Sequence, residues 1–565
     1  MGSWLPFALL IALYIGFGLL GHEPWKADEA YIFGIIHSML EDDSWLVPLV
    51  AGEPFMEKPP LYAWVGAGLV RLLDGYVRAP DAARLASAVF MGVSAWSLAK
   101  ASRCWWGRNA GRYAPILLCS CIGVLAQSHM MLPDLPLLTG MSLGLWGFAF
   151  ILTSPISGGV LLGLGGGIGF LAKGLLGPGI LGLCAILLPV IFRSWRQRKY
   201  GVGLLVATGT SLPLIAIWPI LLYHRSPILF ASWFWDNNFG RFFGTSIEIR
   251  GTEKPVWFWL QTLPWFAFPA LPMAIHTLVI KRHAFLSHPG MQCMTMCASI
   301  ILVTLSASAA ARAVYALPLL APLAVLGVPA IFATTQVLEK AWIAVSAAVF
   351  GAFSVFVWMI WLDMTHTGVA PSWPWLNQWL PADFVASFEA SRLATAALVS
   401  VAGVLAVRRC TIEPGRGLMT WMTCITFAWT LLTTLAMPWL DHAKSYRAVF
   451  ESIPWPKTHG CIESRGLGES ERAMLDYYAN RLTHRREVSV VNDCDLLFVQ
   501  GFVQDQLPVA DSKGWEMIWS GARPGDNRQK FWLYRTKLPT TGVGRTDEKR
   551  QQSRQANLHH TEHDS

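Results

Sequence analysis

Charged residues are scarce in this sequence. Asp, Glu, Lys and Arg make up 14% of its 565 residues, whereas roughly a quarter is usual in soluble globular proteins. Hydrophobic residues make up 53%, and there are 28 tryptophans, which is more apolar surface than a soluble fold can bury. These values predict a polytopic membrane protein. The formal net charge of +8 therefore gives no reason to expect a nucleic-acid partner.

The features of a cleaved signal peptide are also missing. The first apolar run, residues 4–20, has no basic residue before it and no small-residue cleavage signature after it. A secretory signal peptide usually carries both. We therefore expect this run to be retained as the first membrane span.

Apolar runs recur along the chain, close to the roughly 20 residues that a helix needs to cross a bilayer. Thirteen of them predict an all-α transmembrane domain over residues 1–440. The glycine-rich run at residues 157–172 is expected to pack closely against its neighbours, because glycine lets two backbones approach. The predicted spans are residues 4–21, 81–101, 113–128, 132–152, 157–172, 175–192, 202–223, 256–280, 292–310, 313–333, 341–361, 391–407 and 418–440.

Lysine and arginine cluster in four short connections between these spans. Such clusters favour the cytoplasmic side, so thirteen spans place the N-terminus in the cytoplasm and everything after residue 440 outside. The outer side then also receives three long segments, residues 22–80, 224–255 and 362–390. The clusters are Arg103, Arg108 and Arg112; Arg193, Arg196, Arg198 and Lys199; Lys281 and Arg282; and Arg408, Arg409 and Arg416.

The chain after residue 440 changes in composition and predicts a small α/β domain over residues 441–540. The stretch SERAMLDYYANRL is typical of a helix with Ser470 as its N-cap. The stretches EVSVV, DLLFVQG and QKFWLYRT are typical of strands. Residues 541–565 are polar without apolar periodicity and are expected to be disordered.

Only two of the ten cysteines, Cys461 and Cys494, fall in this last part of the chain. On the outer side of a membrane, they are compatible with a single disulfide. Two unpaired buried thiols fit the sequence equally well.

Ionisable side chains beside apolar spans are costly to bury, so each one is a candidate for function. On the predicted outer side, such residues come from segments that lie far apart in the sequence. Their convergence on one face of the bilayer is what a site at the membrane surface would need. They are Asp28, Glu29, Glu57, Lys58, Arg84, Asp134, Lys173, Arg241 and Arg312, joined by Tyr315.

The cations in this set suggest an anion held close to the lipid, most simply a phosphate or diphosphate. Arginine offers such a group a planar fork, and lysine a point charge. Asp28 and Asp134 would then act on the reacting group, as a general base or by stabilising positive charge. Glycosyl transfer fits both roles, because its transition state is oxocarbenium-like. Purely structural roles stay open, with Asp28 as a helix N-cap and Arg84 as a snorkelling side chain.

Seven short motifs occur in an order that resembles the aminoarabinose transferase and protein mannosyltransferase group. These are membrane glycosyltransferases of the GT-C architecture. The similarity extends over roughly residues 1–330 and is strongest at EKPPLYAW. The motifs, in chain order, are DE at residues 28–29, GEPFMEKPPLYAW, RLASA, LPDLPL, FLAKGLLGP, NNFGRF and RAVYALPLLAPLAVL.

This resemblance implies a sugar linked to undecaprenyl phosphate, or another polyprenyl phosphate, as the donor. It implies transfer at the periplasmic face of the bacterial inner membrane, by an inverting displacement in which the lipid phosphate leaves. Lipid A or lipopolysaccharide is the first acceptor to consider. A protein or another glycan is the alternative within the group.

The resemblance also implies roles for the candidate residues. Asp28 and Asp134 match two acidic residues associated with catalysis. Glu57 matches a carboxylate that is associated with a bound metal in some members, which makes a divalent metal the one cofactor to consider. The residues expected to bind substrate are Glu29, Lys58, Arg84, Lys173, Arg241, Arg312 and Tyr315, with Lys58 and Arg241 at the donor phosphate and Tyr315 near the donor head group.

Three positions depart from the pattern of the group. Tyr31 stands where arginine is common, and Phe55 stands where tyrosine is frequent. Asp236 or Asn237 occupies a place where histidine is often found. These changes remove groups that would bind an acceptor or ligate a metal, so they weaken the expectation of lipid A as acceptor and of metal dependence.

Two hypotheses from other classes remain. A transporter or flippase for lipid-linked sugars would favour ionisable residues at the bilayer midplane and matching halves, whereas no repeat of fixed period is evident here. A non-catalytic assembly factor would keep the fold, and Asp28→Asn would leave sugar modification in cells unchanged.

Overall fold

The computed structural model describes residues 5–244, 255, 257–377, 380–381, 384–410, 414–456, 461–488, 494–503 and 514–537, with the side chain of Arg241 excepted. The described residues as far as Glu451 are mostly helical, with one short hairpin, and a small mixed sheet follows. The predicted fold class, an all-α membrane part followed by a small α/β part, is confirmed. The predicted tail at residues 541–565 lies outside the described residues.

The segment between the first two predicted spans is folded into helices and a hairpin. Ala51 and Gly52 form the two-residue turn of this hairpin, with φ angles of 50° and 81°. Two successive positive φ values suit a tight hairpin turn, and glycine adopts them without strain. The elements from the start of the chain are α1 (Leu5–Gly16), α2 (Asp28–Glu41), β1 (Leu49–Val50), β2 (Glu53–Pro54) and α3 (Leu61–Leu72).

Seven helices follow as far as residue 225. The extended backbone of Cys121 interrupts the helical path between two of them. They are α4 (Ala79–Trp106), α5 (Tyr113–Ser120), α6 (Ile122–Leu125), α7 (Asp134–Ile151), α8 (Pro155–Lys173), α9 (Leu176–Ile191) and α10 (Arg198–Arg225).

The second half of the helical part begins with a π-helical segment, Ser232–Gly240, between two short helices. Such segments are rare and are frequent at functional sites. The helices are α11 (Pro227–Ala231), α12 (Arg241–Phe243), α13 (Phe258–Phe266), α14 (Ala270–Ile280), α15 (Pro289–Ala307), α16 (Leu317–Ala333), α17 (Gln336–Thr367), α18 (Ala390–Arg408), α19 (Arg416–Leu435), α20 (Met437–Lys444) and α21 (Arg447–Glu451).

Each of the thirteen predicted spans contains a helix, although not every helix is long enough to cross a bilayer. Within the described residues, nine helices meet the length and apolarity expected of a span, or ten if α13 and α14, which are bent by 93°, are one. The 12-residue helix α1 extends only about 18 Å at 1.5 Å per residue, against a hydrocarbon layer of roughly 30 Å. The number of crossings therefore stays a prediction.

Helix α8 packs backbone to backbone against its neighbours, as its glycines predict. A Cβ atom on Gly140 of α7 would lie 2.6 Å from the carbonyl oxygen of Gly165 and 2.7 Å from the amide nitrogen of Gly169. A Cβ atom on Gly163 would lie 2.4 Å from the carbonyl oxygen of Ala207 in α10. Close packing through glycine is confirmed at these positions, because any larger residue would force the helices apart.

Five strands form one mixed sheet in the order β4-β3-β5-β7-β6. The strand predictions DLLFVQG and QKFWLYRT are confirmed as β5 and β7, with Phe498 opposite Leu533, whereas EVSVV falls mostly outside the described residues. The N-cap prediction is wrong, because Gly468 caps the helix and Ser470 lies in its first turn. The elements are β3 (Ile462–Arg465), α22 (Glu469–Ala479), β4 (His484–Arg485), β5 (Leu496–Phe502), β6 (Trp515–Gly521) and β7 (Gln529–Thr536).

Of the two alternatives for Cys461 and Cys494, the structure has the disulfide. Strands β3 and β5 run parallel as neighbours, with Ile462 beside Leu496. Each cysteine comes just before one of these strands, so their Cα atoms lie 4.8 Å apart. The bond therefore ties together the beginnings of two adjacent strands.

Candidate active site

The carboxylate of Asp28 forms a two-pronged ion pair with the guanidinium of Arg312. Nη1 of Arg312 donates to Oδ1 of Asp28 over 3.0 Å, and Nη2 donates to Oδ2. Asp28 is the first residue of α2, and Ala27 is the N-cap, so the structural alternative of Asp28 as N-cap is not adopted. Arg312 comes immediately before Ala313–Ala316, a 3-10 turn that leads into α16. Two residues 284 positions apart thus meet at the beginnings of two helical segments.

Tyr31 and Lys58 extend this ion pair into a chain of hydrogen bonds. The hydroxyl of Tyr31 donates to Oδ1 of Asp28 over 3.1 Å and accepts from Nζ of Lys58 over 2.9 Å. The same Nζ lies 3.2 Å from Oε2 of Glu57 and 5.4 Å from the centre of the Tyr31 ring. Two prolines follow Lys58 and restrict the backbone there, which helps to aim the lysine at the tyrosine.

A second ion pair, between Asp134 and Lys173, lies beside the first. Nζ of Lys173, at the end of α8, donates to Oδ1 of Asp134, at the start of α7, over 2.6 Å. The same Nζ lies 4.2 Å from the ring centre of Tyr315, and the guanidinium of Arg312 lies 5.9 Å from that ring centre. Tyr315 therefore stands between the two ion pairs, and contacts of this kind are favourable for a cation over an aromatic face.

The surroundings of Asp28 and Lys58 keep both side chains charged at neutral pH. Burial tends to raise the pKa of Asp28, but Arg312, Lys58 and Tyr31 outweigh it and hold the pKa below its ordinary value. Burial tends to lower the pKa of Lys58, but Tyr31, Glu57 and Asp28 raise it well above its ordinary value. Burial raises the pKa of Tyr31, which therefore stays a neutral hydroxyl and a hydrogen-bond donor.

Arg241 can be placed only by its backbone, because its side chain lies outside the described residues. It begins α12, and the carbonyl oxygen of the next residue, Phe242, accepts from the amide of Ala309 over 3.2 Å. Ala309 is three residues before Arg312. On the other side, a Cβ atom on Gly174, the residue after Lys173, would lie 2.1 Å from Oδ1 of Asn238. The segment that carries Arg241 thus borders both ion pairs, while its role stays a prediction.

Glu29 and Arg84 belong to a separate, fully buried network. Nε of Arg84 donates to Oε1 of Glu29 over 2.6 Å, and Nη1 donates to Oδ1 of Asp81 over 3.0 Å. The guanidinium also donates to the carbonyl oxygens of Leu19 and His22, over 3.1 and 3.2 Å. Both predicted side chains are 0% exposed, so neither can touch a substrate in this conformation. Their contacts fasten the start of α4 to the chain before α2.

The predicted metal ligand, Glu57, pairs with a cation of the protein instead. Its carboxylate lies 3.2 Å from the ammonium of Lys58. Within the described part of the chain, no group of three or more His, Cys, Asp or Glu side chains could hold a metal ion. A divalent metal near Glu57 therefore stays a prediction, and no step of the mechanism proposed below depends on it.

Seven of the ten predicted site residues thus lie in one connected set, whereas Glu29 and Arg84 lie elsewhere and the side chain of Arg241 is not described. The eighth member, Tyr31, was noted only as a departure from a family pattern. Its position three residues after Asp28 on a helix places both on one face, which is the signal that could have found it. We call the set of Asp28, Tyr31, Glu57, Lys58, Asp134, Lys173, Arg312 and Tyr315 the charged cluster.

Three kinds of comparison relate this chain to known proteins. A family described as "Dolichyl-phosphate-mannose-protein mannosyltransferase" matches residues 57–223. The "Undecaprenyl phosphate-alpha-4-amino-4-deoxy-L-arabinose arabinosyl transferase 1" of Pseudomonas fluorescens is 28% identical over 269 residues, 44% of this chain and 44% of that protein. The crystal structure of ArnT from Cupriavidus metallidurans in the apo state has a TM-score of 0.67 at 16% identity, covering 94% of this chain and 97% of that chain.

This chain has the ArnT fold. ArnT from the same organism bound to undecaprenyl phosphate gives a TM-score of 0.65 at 17% identity, over 96% of this chain and 99% of that chain. The likeness confirms the resemblance to the aminoarabinose transferase group and its GT-C architecture. In sequence, the chain spans about half the length of the curated relatives that it matches. Its long apolar helices, nine or ten within the described residues, indicate a multi-pass membrane protein.

Proposed function

We propose that this protein is a glycosyltransferase that moves a sugar from a polyprenyl phosphate, such as undecaprenyl phosphate, to an acceptor of the cell envelope. The observation that carries this proposal is the meeting of two ion pairs, Asp28 with Arg312 and Asp134 with Lys173, around Tyr315. Cations for a phosphate and carboxylates for a sugar are thereby within reach of one bound molecule. The ArnT fold and the naming of its relatives as undecaprenyl phosphate arabinosyl transferases support the same reaction.

The cations of the charged cluster would bind the phosphate that leaves. Lys58, Lys173 and Arg312 come from three segments that meet at the ends of apolar helices, and Arg241 lies on a bordering segment. Phosphate is a passable leaving group once its charge is neutralised, and fixed cations supply this without reorganisation. The sugar would be attacked from the opposite side, which inverts its anomeric carbon.

Phosphate binding would also release the carboxylates. Arg312 and Lys173 each hold a carboxylate in their present pairing, so a phosphate that takes over these cations competes with Asp28 and Asp134. Asp28 is then available to orient or deprotonate the acceptor, or to stabilise the oxocarbenium character of the sugar. In its present pairing, Arg312, Lys58 and Tyr31 lower the pKa of Asp28, so it is a carboxylate when the phosphate arrives. If the acceptor is itself a phosphate, no base is needed and Asp28 positions it.

The proposed acceptor is lipid A or lipopolysaccharide, with a protein or another glycan as the second candidate. The first rests on the arabinosyl transferases among the relatives, and the second on the name of the matching family. We place the site on the periplasmic face, with the N-terminus in the cytoplasm and the C-terminal domain outside. Lysine and arginine clusters favour the cytoplasmic side, and in the predicted topology the short loops that carry them lie on the face opposite the site.

The arrangement of charges disfavours a transporter or flippase. Transporter sites usually lie near the bilayer midplane, at interrupted helices. Here Asp134 begins α7, Lys173 ends α8 and Arg312 precedes α16. The charged cluster is therefore at the ends of helices, where a lipid head group and a polar acceptor can meet.

The test is mass spectrometry of envelope lipids and glycans from cells with and without the gene for this chain. We expect a sugar-sized mass to disappear in the deletion strain and to return with the wild-type protein but not with Asp28→Asn. In vitro, purified wild-type protein should then transfer the sugar from a synthetic polyprenyl-phosphate donor, whereas Asp28→Asn should not. Restoration by Asp28→Asn at the wild-type level would favour the non-catalytic assembly factor.

A further inference from the structure

The first turn of helix α22 contacts the two segments that carry Asp28 and Lys58. The hydroxyl of Ser470 donates to the carbonyl oxygen of Ala27 over 2.7 Å. The next two residues form ion pairs with these segments, Glu471 with Lys26 over 2.8 Å and Arg472 with Glu53 over 2.8 Å. Three consecutive residues of the C-terminal sheet domain thus contact both the segment before Asp28 and the hairpin before Lys58.

The contacts to Lys26 and Ala27 hold the start of α2. Ala27 is the N-cap of α2 and comes directly before Asp28. The side chain of Glu471 is 4% exposed, and it also accepts from the hydroxyl of Tyr446 over 2.8 Å and from Nε2 of Gln500 over 3.2 Å. A carboxylate fixed by three donors is a rigid anchor, because moving it would leave buried charge and hydrogen bonds unpaired.

Helices α2 and α22 touch without space between them. A Cβ atom on Gly34 would lie 2.4 Å from Cβ of Ala473, which cannot rotate aside because it is bonded directly to the backbone of α22. The rings of Phe33 and Tyr477 meet edge to face at 4.8 Å, and His37 lies 5.4 Å from the same tyrosine. The two helices are therefore in direct contact from Phe33 to His37 of α2.

The contact at Glu53 holds the segment that leads to Lys58. Glu53 lies in the hairpin strand β2, and Oε2 is 2.8 Å from Nη1 of Arg472 and 3.3 Å from Nη1 of Arg485. Two residues later, the amide of Phe55 donates to Pro48 over 2.8 Å. Two arginines thus tie the hairpin to the sheet domain, and the hairpin ends at Pro54, four residues before Lys58.

We propose that helix α22 positions Asp28 relative to Lys58, so that the C-terminal sheet domain is part of the catalytic unit. This inference rests on the proposed function and assigns Ser470, Glu471 and Arg472 as positioning residues. The hydroxyl of Tyr31 bridges Asp28 and Lys58 only while both segments keep their present spacing. A misplacement on the order of 1 Å at such a site can cost about a hundredfold in rate.

The first test is a kinetic double-mutant cycle on the full-length protein in detergent or lipid discs. We expect Lys26→Met and Glu471→Gln each to lower kcat by about 10- to 100-fold, and the double variant to lose no more than the worse single variant. Lys26→Arg should recover most of the rate. The control is the ion pair Glu389–Arg392, where the matched changes Glu389→Gln and Arg392→Met should leave kcat within about twofold of wild type.

The second test moves α22 by a steric change that removes no charge. Gly34→Ala should lower kcat because its new methyl group meets Ala473, whereas Gly68→Ala in α3, which has open space around it, should not. Hydrogen exchange of residues 28–41 and 49–58 should quicken in Glu471→Gln but not in Gly68→Ala. This readout applies even if the wild-type protein transfers no sugar, so failure of the proposed function is told apart from failure of the positioning role.

Three results would overturn the positioning role. One is folded Lys26→Met, Glu471→Gln and Gly34→Ala proteins with wild-type kcat. Another is a loss of thermal stability without a change in kcat, which would make the interface merely structural. The last is unchanged hydrogen exchange in both segments of Glu471→Gln, because α22 would then not control them.

Discussion

The ammonium of Lys173 lies 4.2 Å from the ring centre of Tyr315 while it holds the carboxylate of Asp134 at 2.6 Å. The lysine thus has two partners, a carboxylate in an ion pair and an aromatic ring in a cation–π contact. In the function proposed above, a phosphate would replace the carboxylate while the ring keeps the lysine in place. Tyr315 would then hold Lys173 in position during this exchange of partners.

Lys173→Met should destabilise the protein by about 3–5 kcal/mol and abolish sugar transfer, because it leaves Asp134 as an unpaired buried charge. The side chains of Lys173 and Asp134 are 11% and 5% exposed, so solvent cannot take over the pairing. Thermal unfolding in detergent and a transfer assay measure the two effects. The double variant Lys173→Met/Asp134→Leu should recover the stability and remain inactive. Equal stability of wild type and Lys173→Met would show that the ion pair is not buried as described.

Tyr31→Phe should lower kcat and shift the acidic limb of the pH–rate profile to higher pH. The pKa of Asp28 is held below its ordinary value partly by the hydroxyl of Tyr31, so removing that donor raises the pKa. Activity that needs ionised Asp28 is present above its pKa and is lost as pH falls through it, which sets the direction of the shift. The ring, with its contact to Phe55 at 5.1 Å, is kept.

The measurement for Tyr31→Phe is kcat between about pH 3 and pH 8, a range that includes the ordinary aspartate pKa of about 3.9, toward which the acidic limb should move. Tyr76→Phe is the matched control, because Tyr76 is 89% exposed. An acidic limb that stays in place in Tyr31→Phe would mean that Asp28 does not limit the reaction at low pH.

Arg84→Met should fail to fold or lose about 3–5 kcal/mol of stability, since Glu29 and Asp81 would remain as buried carboxylates. The stability of Arg84→Lys should lie between those of wild type and Arg84→Met. One ammonium keeps the charge but cannot replace a guanidinium that also donates to the carbonyl oxygens of Leu19 and His22. In folded Arg84→Lys, the KM for the lipid donor should be within about twofold of wild type. A raised KM with unchanged thermal stability would instead support the sequence-based prediction that Arg84 binds substrate.

The disulfide gives a test of the proposed orientation. If the C-terminal domain lies in the oxidising periplasm, Cys461 and Cys494 should resist maleimide labelling in denatured protein until a reductant is added. Replacing both with serine should lower the stability of this domain by about 3–4 kcal/mol, from the chain entropy of a loop of this length. Labelling of both thiols without reductant, in protein denatured directly from intact cells, would place the domain in the cytoplasm.

Much of the helical part could be predicted because apolar runs leave few alternatives in a membrane. All thirteen runs contain helices, and the glycines of α8 face close neighbours as expected. The structure of the segment that forms α2, β1 and β2 was harder to predict, because charged residues interrupt the apolar residues that contact α22. Ser470 suits an N-cap by type, yet tertiary contact with Ala27 uses its hydroxyl elsewhere.

The sequence predicts which residue types form the candidate site, but only partly where each of their side chains points. Asp28 and Glu29 are neighbours in sequence, but successive residues of a helix point about 100° apart. Asp28 therefore faces Arg312, and Glu29 faces inward to Arg84. The spacing of Asp81 and Arg84, one helical turn apart, was the available signal for this buried network.

The glycine contact between α7 and α8 has a consequence for catalysis. Asp134 begins α7 and Lys173 ends α8, with Gly140 and Gly169 between them and the membrane interior. A Cβ atom on Gly140 would meet the backbone of Gly165 and Gly169, so the absence of a side chain at Gly140 lets α7 and α8 lie this close. A methyl group added at Gly140 would push the two helices apart and widen the gap between Asp134 and Lys173, one to two turns away. The spacing of the ion pair at the helix ends is thus set in part by a glycine in the apolar part of α7.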